Sequence, residues 1–188
     1  DLIRTNRDGK REEQARYYAK HIDRLKAAGC DCVAITSLGG HFCFDETVPL
    51  SSLPLISAVK PLDAFFAAQG YKTVGLLGTR VVMKTGLYGQ LTQTRAVELA
   101  AENDLIGQTY TDMAVAGHCT PDQRAFFLDA AQRLIDDAGA DAIVLAGTDL
   151  NLAFDGQHTT FPVIDALDVH VDVLAKLATG QMSLEEAL

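Results

Sequence analysis

The feature that most constrains the fold of this chain is an internal repeat. Residues 25–37 (LKAAGCDCVAITS) align with residues 135–147 (IDDAGADAIVLAG), and each copy reads as the end of a helix, Ala-Gly-x-Asp, an apolar run and a loop. A second matching pair, residues 53–58 (LPLISA) and 161–166 (FPVIDA), follows in the same order. The two offsets, 110 and 108 residues, are nearly equal. The sequence therefore predicts two similar units that share a cleft.

The order of the predicted elements indicates an α/β fold, because helical and strand patterns alternate along the chain and such alternation is typical of parallel sheets. Thr120 and Pro121 form a helix-start signal, with threonine as N-cap and proline in the first turn. Helices are predicted over residues 10–28, 58–69, 85–100, 121–138 and 169–178, and strands over residues 32–35, 73–77, 104–110, 142–145 and 162–164.

The repeat also predicts the domain organisation. The first unit is assigned to residues 1–70, the second to residues 71–165, and residues 166–188 form a C-terminal helical segment that returns to the first unit. A strand precedes the repeat in the second unit, and its counterpart in the first unit would lie ahead of residue 1. We therefore expect the first unit to lack roughly 40 residues, about one βα unit. The apolar side chains near Val33 and Ile35 should then be poorly covered.

Composition narrows the classes of protein to which the chain can belong. Its 188 residues are 48% hydrophobic and 22% charged, which excludes a disordered chain. No apolar run reaches the ~18 residues of a membrane span, and no secretory signal opens the chain. The net charge of −9 argues against a nucleic-acid or anionic-membrane partner. The four cysteines form no CxxC pair, so we predict no metal site and a reduced, cytoplasmic location.

Three loops are candidates for a ligand site, because ligands of parallel α/β sheets bind outside the carboxyl ends of the strands. These loops are residues 36–41, 78–80 and 146–149. By the repeat, Ser37 and Gly147 occupy equivalent positions on opposite walls of the predicted cleft. A site with this pseudo-symmetry suits chemistry on both faces of one carbon atom.

At these loops the chain resembles the aspartate/glutamate racemase family, which also includes hydantoin racemases and related isomerases and decarboxylases. The resemblance covers nearly the whole chain and rests on residues 28–41, 74–88, 139–150 and 162–170, which follow the family's order. It implies an aspartate racemase-like fold of two pseudo-symmetric parallel-sheet α/β units around an active-site cleft. It further implies an isomerase that needs no cofactor, a small carboxylate or acidic amino acid as substrate, and a homodimer.

The same resemblance implies unusual chemistry at both walls. Family racemases use two cysteines, one per unit, as base and acid on opposite faces of the α-carbon. The first family loop reads Cys-Asn-Thr-x-His, whereas residues 37–41 read Ser-Leu-Gly-Gly-His; the second reads Gly-Cys-Thr-Glu, whereas residues 146–149 read Ala-Gly-Thr-Asp. A serine hydroxyl has a far higher pKa than a thiol, and glycine carries no proton. We expect very weak aspartate and glutamate racemase activity, and we expect Ser37→Cys with Gly147→Cys to raise it, provided that the missing amino-terminal segment is restored.

The candidate site residues come from the three loops and the closing helix. Imidazole has a pKa suited to proton transfer, and strand-end amides and hydroxyls suit a carboxylate. The candidate catalytic residues are Ser37, His41, Thr148 and His170. The candidate substrate-binding residues are Leu38, Gly39, Gly40, Thr79, Thr85, Gly147 and Asp149. For Asp149 a capping role is an equal alternative, since its carboxylate would repel a dicarboxylate.

Three hypotheses for function remain open at this point. The first is a racemase-family isomerase that acts at the α-carbon of a small carboxylate. The second is a carboxylate-binding homologue without catalysis, and the third is a related proton-transfer enzyme, a decarboxylase or double-bond isomerase that uses His41 or His170. The double cysteine replacement that the resemblance implies favours the second and third hypotheses over ordinary racemisation.

Overall fold

The two copies of the repeat form equivalent pairs of parallel strands. The computed structural model describes Thr5 and residues 8–188. In the first copy, strand β1 (Val33–Ala34) pairs with β2 (Leu55–Ile56), and in the second, β5 (Ala142–Ala146) pairs with β6 (Val163–Asp165). All pairings in both sheets are parallel, which confirms the predicted α/β class.

The remaining elements alternate with these strands along the chain. The other strands are β3 (Thr73–Gly78) and β4 (Arg95–Val97). The helices are α1 (Arg11–Ala27), α2 (Phe44–Thr47), α3 (Val59–Ala68), α4 (Arg80–Lys84), α5 (Asn103–Ala116), α6 (Pro121–Asp136), α7 (Asn151–Phe154), α8 (Ala166–Ala178) and α9 (Leu184–Ala187). Short 3-10 turns cover Leu38–Cys43, Val48–Leu50, Leu87–Gly89 and Thr148–Leu150. Within the described part of the chain, no helix is both long enough and apolar enough to cross a membrane.

The equivalence of the two copies extends to single hydrogen bonds. Val33 in β1 donates its N–H to the carbonyl of Pro54 at 2.9 Å. Ile143 in β5 donates its N–H to the carbonyl of Pro162, also at 2.9 Å. Each donor and each acceptor occupies the same place in its copy of the repeat, so the two strand pairs share one register.

The two sheets differ in size. Among the described residues the first sheet contains only β1 and β2, whereas the second has the order β4-β3-β5-β6. Within these residues, the first sheet has no counterpart of β3 or β4. An apolar groove of about 400 Å³ lies between β1 and α1, and its lining includes Tyr18, Ile22, Val33 and Ile35. Val33 and Ile35 are half-buried.

The main core is built around the two central strands of the second sheet. Every residue of β3 and β5 is buried, which is typical of parallel strands covered on both faces. A Cβ at Gly75 would lie 2.9 Å from side-chain atoms of Leu134 and Ile143, so glycine lets α6 pack closely on β3. A smaller cluster joins Ile56 of β2 to Val173 of α8.

One predicted helix, over residues 85–100, is wrong. Helix α4 ends before Thr85, a 3-10 turn follows, and the chain then forms β4. Two glycines in this stretch, Gly86 and Gly89, have φ angles of 56° and 70°, which a right-handed helix cannot accommodate. The buried Asp63 carboxylate then accepts backbone N–H groups from residues 92–94, which fixes an irregular loop instead.

The predicted strand over residues 104–110 is also wrong, because this segment lies in helix α5. Its buried positions include Ile106, Tyr110 and Met113, which recur every three to four residues as on one face of a helix. Gly107 allows this helix to lie against the chain after β3, since a Cβ there would be 2.8 Å from the backbone nitrogen of Arg80. This close packing brings Tyr110 to the carboxyl ends of the strands.

Candidate active site

One cavity of about 480 Å³ lies where the carboxyl ends of both sheets meet. A cavity of this size suits a small-molecule ligand. Its lining comes from the chain after β1, β2, β3, β5 and β6, and from Tyr110 on α5. The predicted site residues in this lining are Ser37, Leu38, Gly39, Thr79, Gly147, Thr148 and His170. The sequence-predicted residues outside it are Gly40, His41, Thr85 and Asp149.

The two walls begin with the same backbone turn. After β1, Gly40 donates its N–H to the carbonyl of Ser37 at 2.9 Å. After β5, Leu150 donates its N–H to the carbonyl of Gly147 at 3.0 Å. Ser37 and Gly147 therefore hold matching positions at the start of the two walls. The Gly40 amide bonds within this turn, so the expected role of Gly40 in ligand binding is not supported.

His41 is a structural residue, and its expected role as a proton carrier is not supported. Its ring is fully buried, its Nδ1 lies 2.9 Å from the carbonyl of Ser37, and its Nε2 accepts the N–H of Ala58 at 3.0 Å. This arrangement places the proton on Nδ1 and leaves no ring nitrogen for a ligand. Phe44 stacks on the ring at a centroid distance of 5.4 Å. The imidazole therefore connects the loop after β1 to the loop after β2.

The burial of His41 predicts a pH-dependent stability. Burial, the largest cause, together with the nearby His170, lowers the pKa of His41 from 6.5 to about 4 in the folded protein, although its bond to Ser37 acts in the opposite direction. The unfolded chain binds a proton at His41 more readily than the folded chain does. The contribution of the neutral, buried His41 ring to the stability of the fold is therefore complete above pH 6.5 and is lost as the pH falls towards 4. We expect the free energy of unfolding to drop by about 3 kcal/mol over this range, measured by urea denaturation.

The matched variants for this experiment are His41→Gln and, as a control, His118→Gln at an exposed position. His41→Gln should flatten the pH dependence between 6.5 and 4.5, and His118→Gln should leave it as in the unmodified protein. An unchanged slope in His41→Gln would contradict the structural role assigned to His41.

His170 is the titratable group of the cavity that has a polar atom without a partner. It lies in the second turn of α8 and is 4% exposed, and its Nε2 finds no hydrogen-bond acceptor or donor among the described residues. Asp165 caps this helix by accepting the N–H of Leu167 at 2.8 Å, which fixes where the helix begins. Burial lowers the pKa of His170, so the ring is neutral at neutral pH. A buried, unpaired polar atom is costly unless a ligand or water satisfies it.

The hydroxyl groups near the cavity have different roles. Thr79 lines it while its Oγ1 caps α4 by accepting the N–H of Val82 at 3.4 Å. Thr148 lines the second wall and donates its hydroxyl to Asp149 at 3.3 Å.

Thr85 lies outside the lining, and its hydroxyl donates to the carbonyl of Val81 at 2.7 Å in the last turn of α4. The expected substrate-binding role of Thr85 is therefore not supported.

Asp149 lies behind the second wall and outside the cavity lining. Its Oδ2 accepts the hydroxyl hydrogens of Tyr110, at 3.1 Å, and Thr148. The carboxylate therefore holds two cavity-lining side chains in place, so the structure supports an orienting role for Asp149 and gives no support to direct substrate binding.

Tyr110 is the site residue that the sequence analysis missed. It is 8% exposed, and its ring fills the space beside Gly147. Burial, and then the charge of Asp149, raise the pKa of Tyr110 to about 12, so the phenol stays protonated. The helical spacing of Ile106, Tyr110 and Met113 was the available signal, and it would have placed Tyr110 on the buried face of α5.

Among the described residues, no group of three or more His, Cys, Asp or Glu side chains could hold a metal ion.

Solved structures share the overall fold of this chain. A candidate Asp/Glu racemase from Yersinia pestis superimposes with a TM-score of 0.83 at 21% identity, covering 95% of this chain and 79% of that one. An aspartate racemase homologue from Pyrococcus horikoshii gives 0.75 at 19% identity, with 88% and 74% covered. Arylmalonate decarboxylase gives 0.56 at 15% identity, with 88% and 75% covered. At these identities the likeness shows the fold alone.

The family assignment comes from the sequence itself. A model of the Asp/Glu/hydantoin racemase family matches residues 1–174, which include both walls of the cavity and His170. This match confirms the resemblance seen in the loops. With its paired parallel sheets and its cavity at their carboxyl ends, the chain belongs to the Asp/Glu/hydantoin racemase family.

Proposed function

We propose that this protein is a cofactor-independent isomerase that moves a proton at the α-carbon of a small carboxylate or amino acid. The observation that carries the proposal is His170, a buried imidazole with an unpaired Nε2 in the lining of a ligand-sized cavity. A neutral imidazole can accept a proton from carbon and return it, and its pKa range suits general acid–base catalysis.

The cavity lining offers groups that suit the rest of such a substrate. Ser37 on the first wall, Thr79 between the walls and Thr148 on the second wall contribute hydroxyls. Leu38, Leu145 and Leu167 add apolar surface. Because polar groups are few and apolar side chains surround them, a carboxylate would be bound at a defined place with its α-carbon in a partly dry environment.

Proton transfer by His170 can be measured directly by hydrogen–deuterium exchange. The protein is incubated in D₂O with the L and D forms of alanine, aspartate and glutamate, and the Cα–H signal is followed by proton NMR. We expect exchange in at least one of these compounds, and we expect His170→Asn to slow it ~100-fold, the lower range for loss of one general acid–base group.

The control for this experiment is His158→Asn, which changes an exposed histidine away from the cavity and should leave the exchange rate unchanged. Exchange that persists in His170→Asn would show that another group carries the proton. Binding of these compounds without any exchange would favour the carboxylate-binding homologue over the isomerase.

A second candidate function is decarboxylation with protonation from one side. The second wall favours this reaction, because Gly147 has no side chain and Tyr110 keeps its proton. Neither residue can therefore serve the second face of the carbon. In such a reaction the bond from the α-carbon to a carboxylate breaks and CO₂ leaves. The electron pair that stays on the carbon takes up one proton, which comes from solvent through the His170 imidazole. Arylmalonate decarboxylase shares this fold. Release of CO₂ from phenylmalonate, with no exchange of amino acids, would favour this function.

We further propose that the protein acts as a homodimer in the cytoplasm. The dimer rests on the family, as the resemblance implies it. The location rests on the cysteines, since Cys30, Cys32, Cys43 and Cys119 are all free thiols, as is usual in a reducing compartment.

A further inference from the structure

The second wall of the cavity is filled by a side chain from another element. Gly147 has a φ of −162° and a ψ of 128°, an extended conformation that any residue can adopt. A Cβ built on it would nevertheless lie 2.6 Å from both Cζ and Oη of Tyr110. Contacts this short cannot persist, so glycine at this position is explained by the Tyr110 ring and not by the backbone.

The orientation of the Tyr110 hydroxyl determines what it can offer a ligand. Its hydrogen is donated to Asp149 Oδ2 at 3.1 Å, and a phenol has a single hydrogen to donate. The oxygen also interacts with the backbone N–H of Asp149 and with the hydroxyl of Thr148. Because the Thr148 hydroxyl donates its hydrogen to Asp149, the Tyr110 oxygen keeps one acceptor position beside the cavity that it lines. The negative charge of Asp149 directly behind it further favours a ligand group that donates a hydrogen bond, and disfavours a carboxylate.

We propose that Tyr110 is the specificity-determining residue of the second wall, occupying the side-chain space of residue 147 and accepting a hydrogen bond from an amino or hydroxyl group of the ligand. This inference rests on the proposed function only in taking a small carboxylate as the ligand. It assigns the carboxylate to the side of the cavity away from Asp149 and the hydrogen-bond donor to the side of Tyr110.

The steric part of the proposal is tested by a double-mutant cycle that needs no activity. Gly147→Ala is expected to lower the melting temperature by about 2 to 10 °C, because the new methyl group overpacks against the ring. Tyr110→Ala alone also lowers the melting temperature, because it removes a buried ring. Adding Gly147→Ala to Tyr110→Ala should then lower the melting temperature little further, since the new methyl group no longer meets the ring. Gly39→Ala on the first wall is the matched control, because its Cβ would make only an ordinary 3.4 Å contact with Ser37 Oγ.

The hydrogen-bond part is tested by binding of matched pairs of compounds, L-alanine against propionate and L-aspartate against succinate, in NMR titrations. The unmodified protein should prefer the amino compound about 5-fold, the value of one hydrogen bond. Tyr110→Phe keeps the ring and should reduce this preference to less than about 2-fold.

The outcomes of the two experiments are separable from those of the exchange measurement. Equal melting temperatures for Gly147→Ala and the unmodified protein would overturn the steric assignment. Equal or undetectable binding of both members of each pair, or a preference that survives in Tyr110→Phe, would overturn the hydrogen-bond assignment. Failure of the isomerase proposal alone would abolish exchange and leave both results unchanged.

Discussion

Supplied with L-aspartate or L-glutamate, the purified protein is expected to racemise either amino acid at least ~10⁴-fold more slowly than a two-cysteine racemase does. Racemisation requires one group that removes a proton from one face and another that delivers a proton to the opposite face. Ser37 is a poor base, Gly147 has no side chain, and Tyr110 holds its proton with a pKa of about 12. His170 alone can serve only one face at a time.

This rate is measured by chiral chromatography of the reaction mixture over several days. A two-cysteine glutamate racemase at equal concentration is the positive control, and heat-denatured protein gives the background. Turnover within about 100-fold of the control would contradict the expectation. It would show that a second proton carrier, on the face opposite His170, works beside Gly147.

The second large effect is expected from rebuilding both walls. Ser37→Cys with Gly147→Cys restores the residues that the family resemblance implies, and the sequence alone predicts a gain from this pair. The structure adds a steric condition, because the thiol side chain introduced by Gly147→Cys would have to occupy the space of the Tyr110 ring. We therefore expect little gain from the pair, and ~10³-fold faster aspartate racemisation when Tyr110→Ala is added, below the ~10⁴-fold that two groups supply at the lower end of their range.

Two further proteins make this result interpretable. Tyr110→Ala alone should show no gain, which separates the effect of space from that of the thiols. Ser37→Cys with Tyr110→Ala provides one thiol only and should exchange Cα–H without racemising. If the two-cysteine pair is already as fast as the triple variant, the ring moves aside easily and Tyr110 does not close the second wall.

The sequence predicted those parts of the fold and the site that are repeated or built from local signals. The match between residues 25–37 and 135–147 predicted two equivalent strand pairs, and Thr120 with Pro121 marked the start of α6 correctly. Ser37, Gly147 and the residues that follow them could be placed at one cavity because parallel strands end at one edge of a sheet.

The parts that could not be predicted depend on contacts between distant segments. His41 follows a loop pattern that suits catalysis, and only the N–H of Ala58 at 3.0 Å from its Nε2 shows that the ring is structural. Residues 85–100 contain good helix formers, but the Asp63 carboxylate and the glycines at 86 and 89 determine an irregular loop and a strand. Tyr110 reaches the cavity through α5, an element that the sequence analysis assigned as a strand.

The unequal size of the two sheets has a consequence for how the protein opens in solution. In the described part of the chain, the first wall stands on a two-stranded sheet beside an apolar groove, and the second on a four-stranded sheet with fully buried central strands. Local opening costs least free energy where few apolar contacts and few paired strands hold the chain. Amide hydrogens of β1 and β2 should thus become accessible to solvent in openings that leave β3 and β5 closed. A ligand that bridges Ser37 and Thr148 would then restrain the weaker half, so affinity includes the free energy needed to hold that half shut.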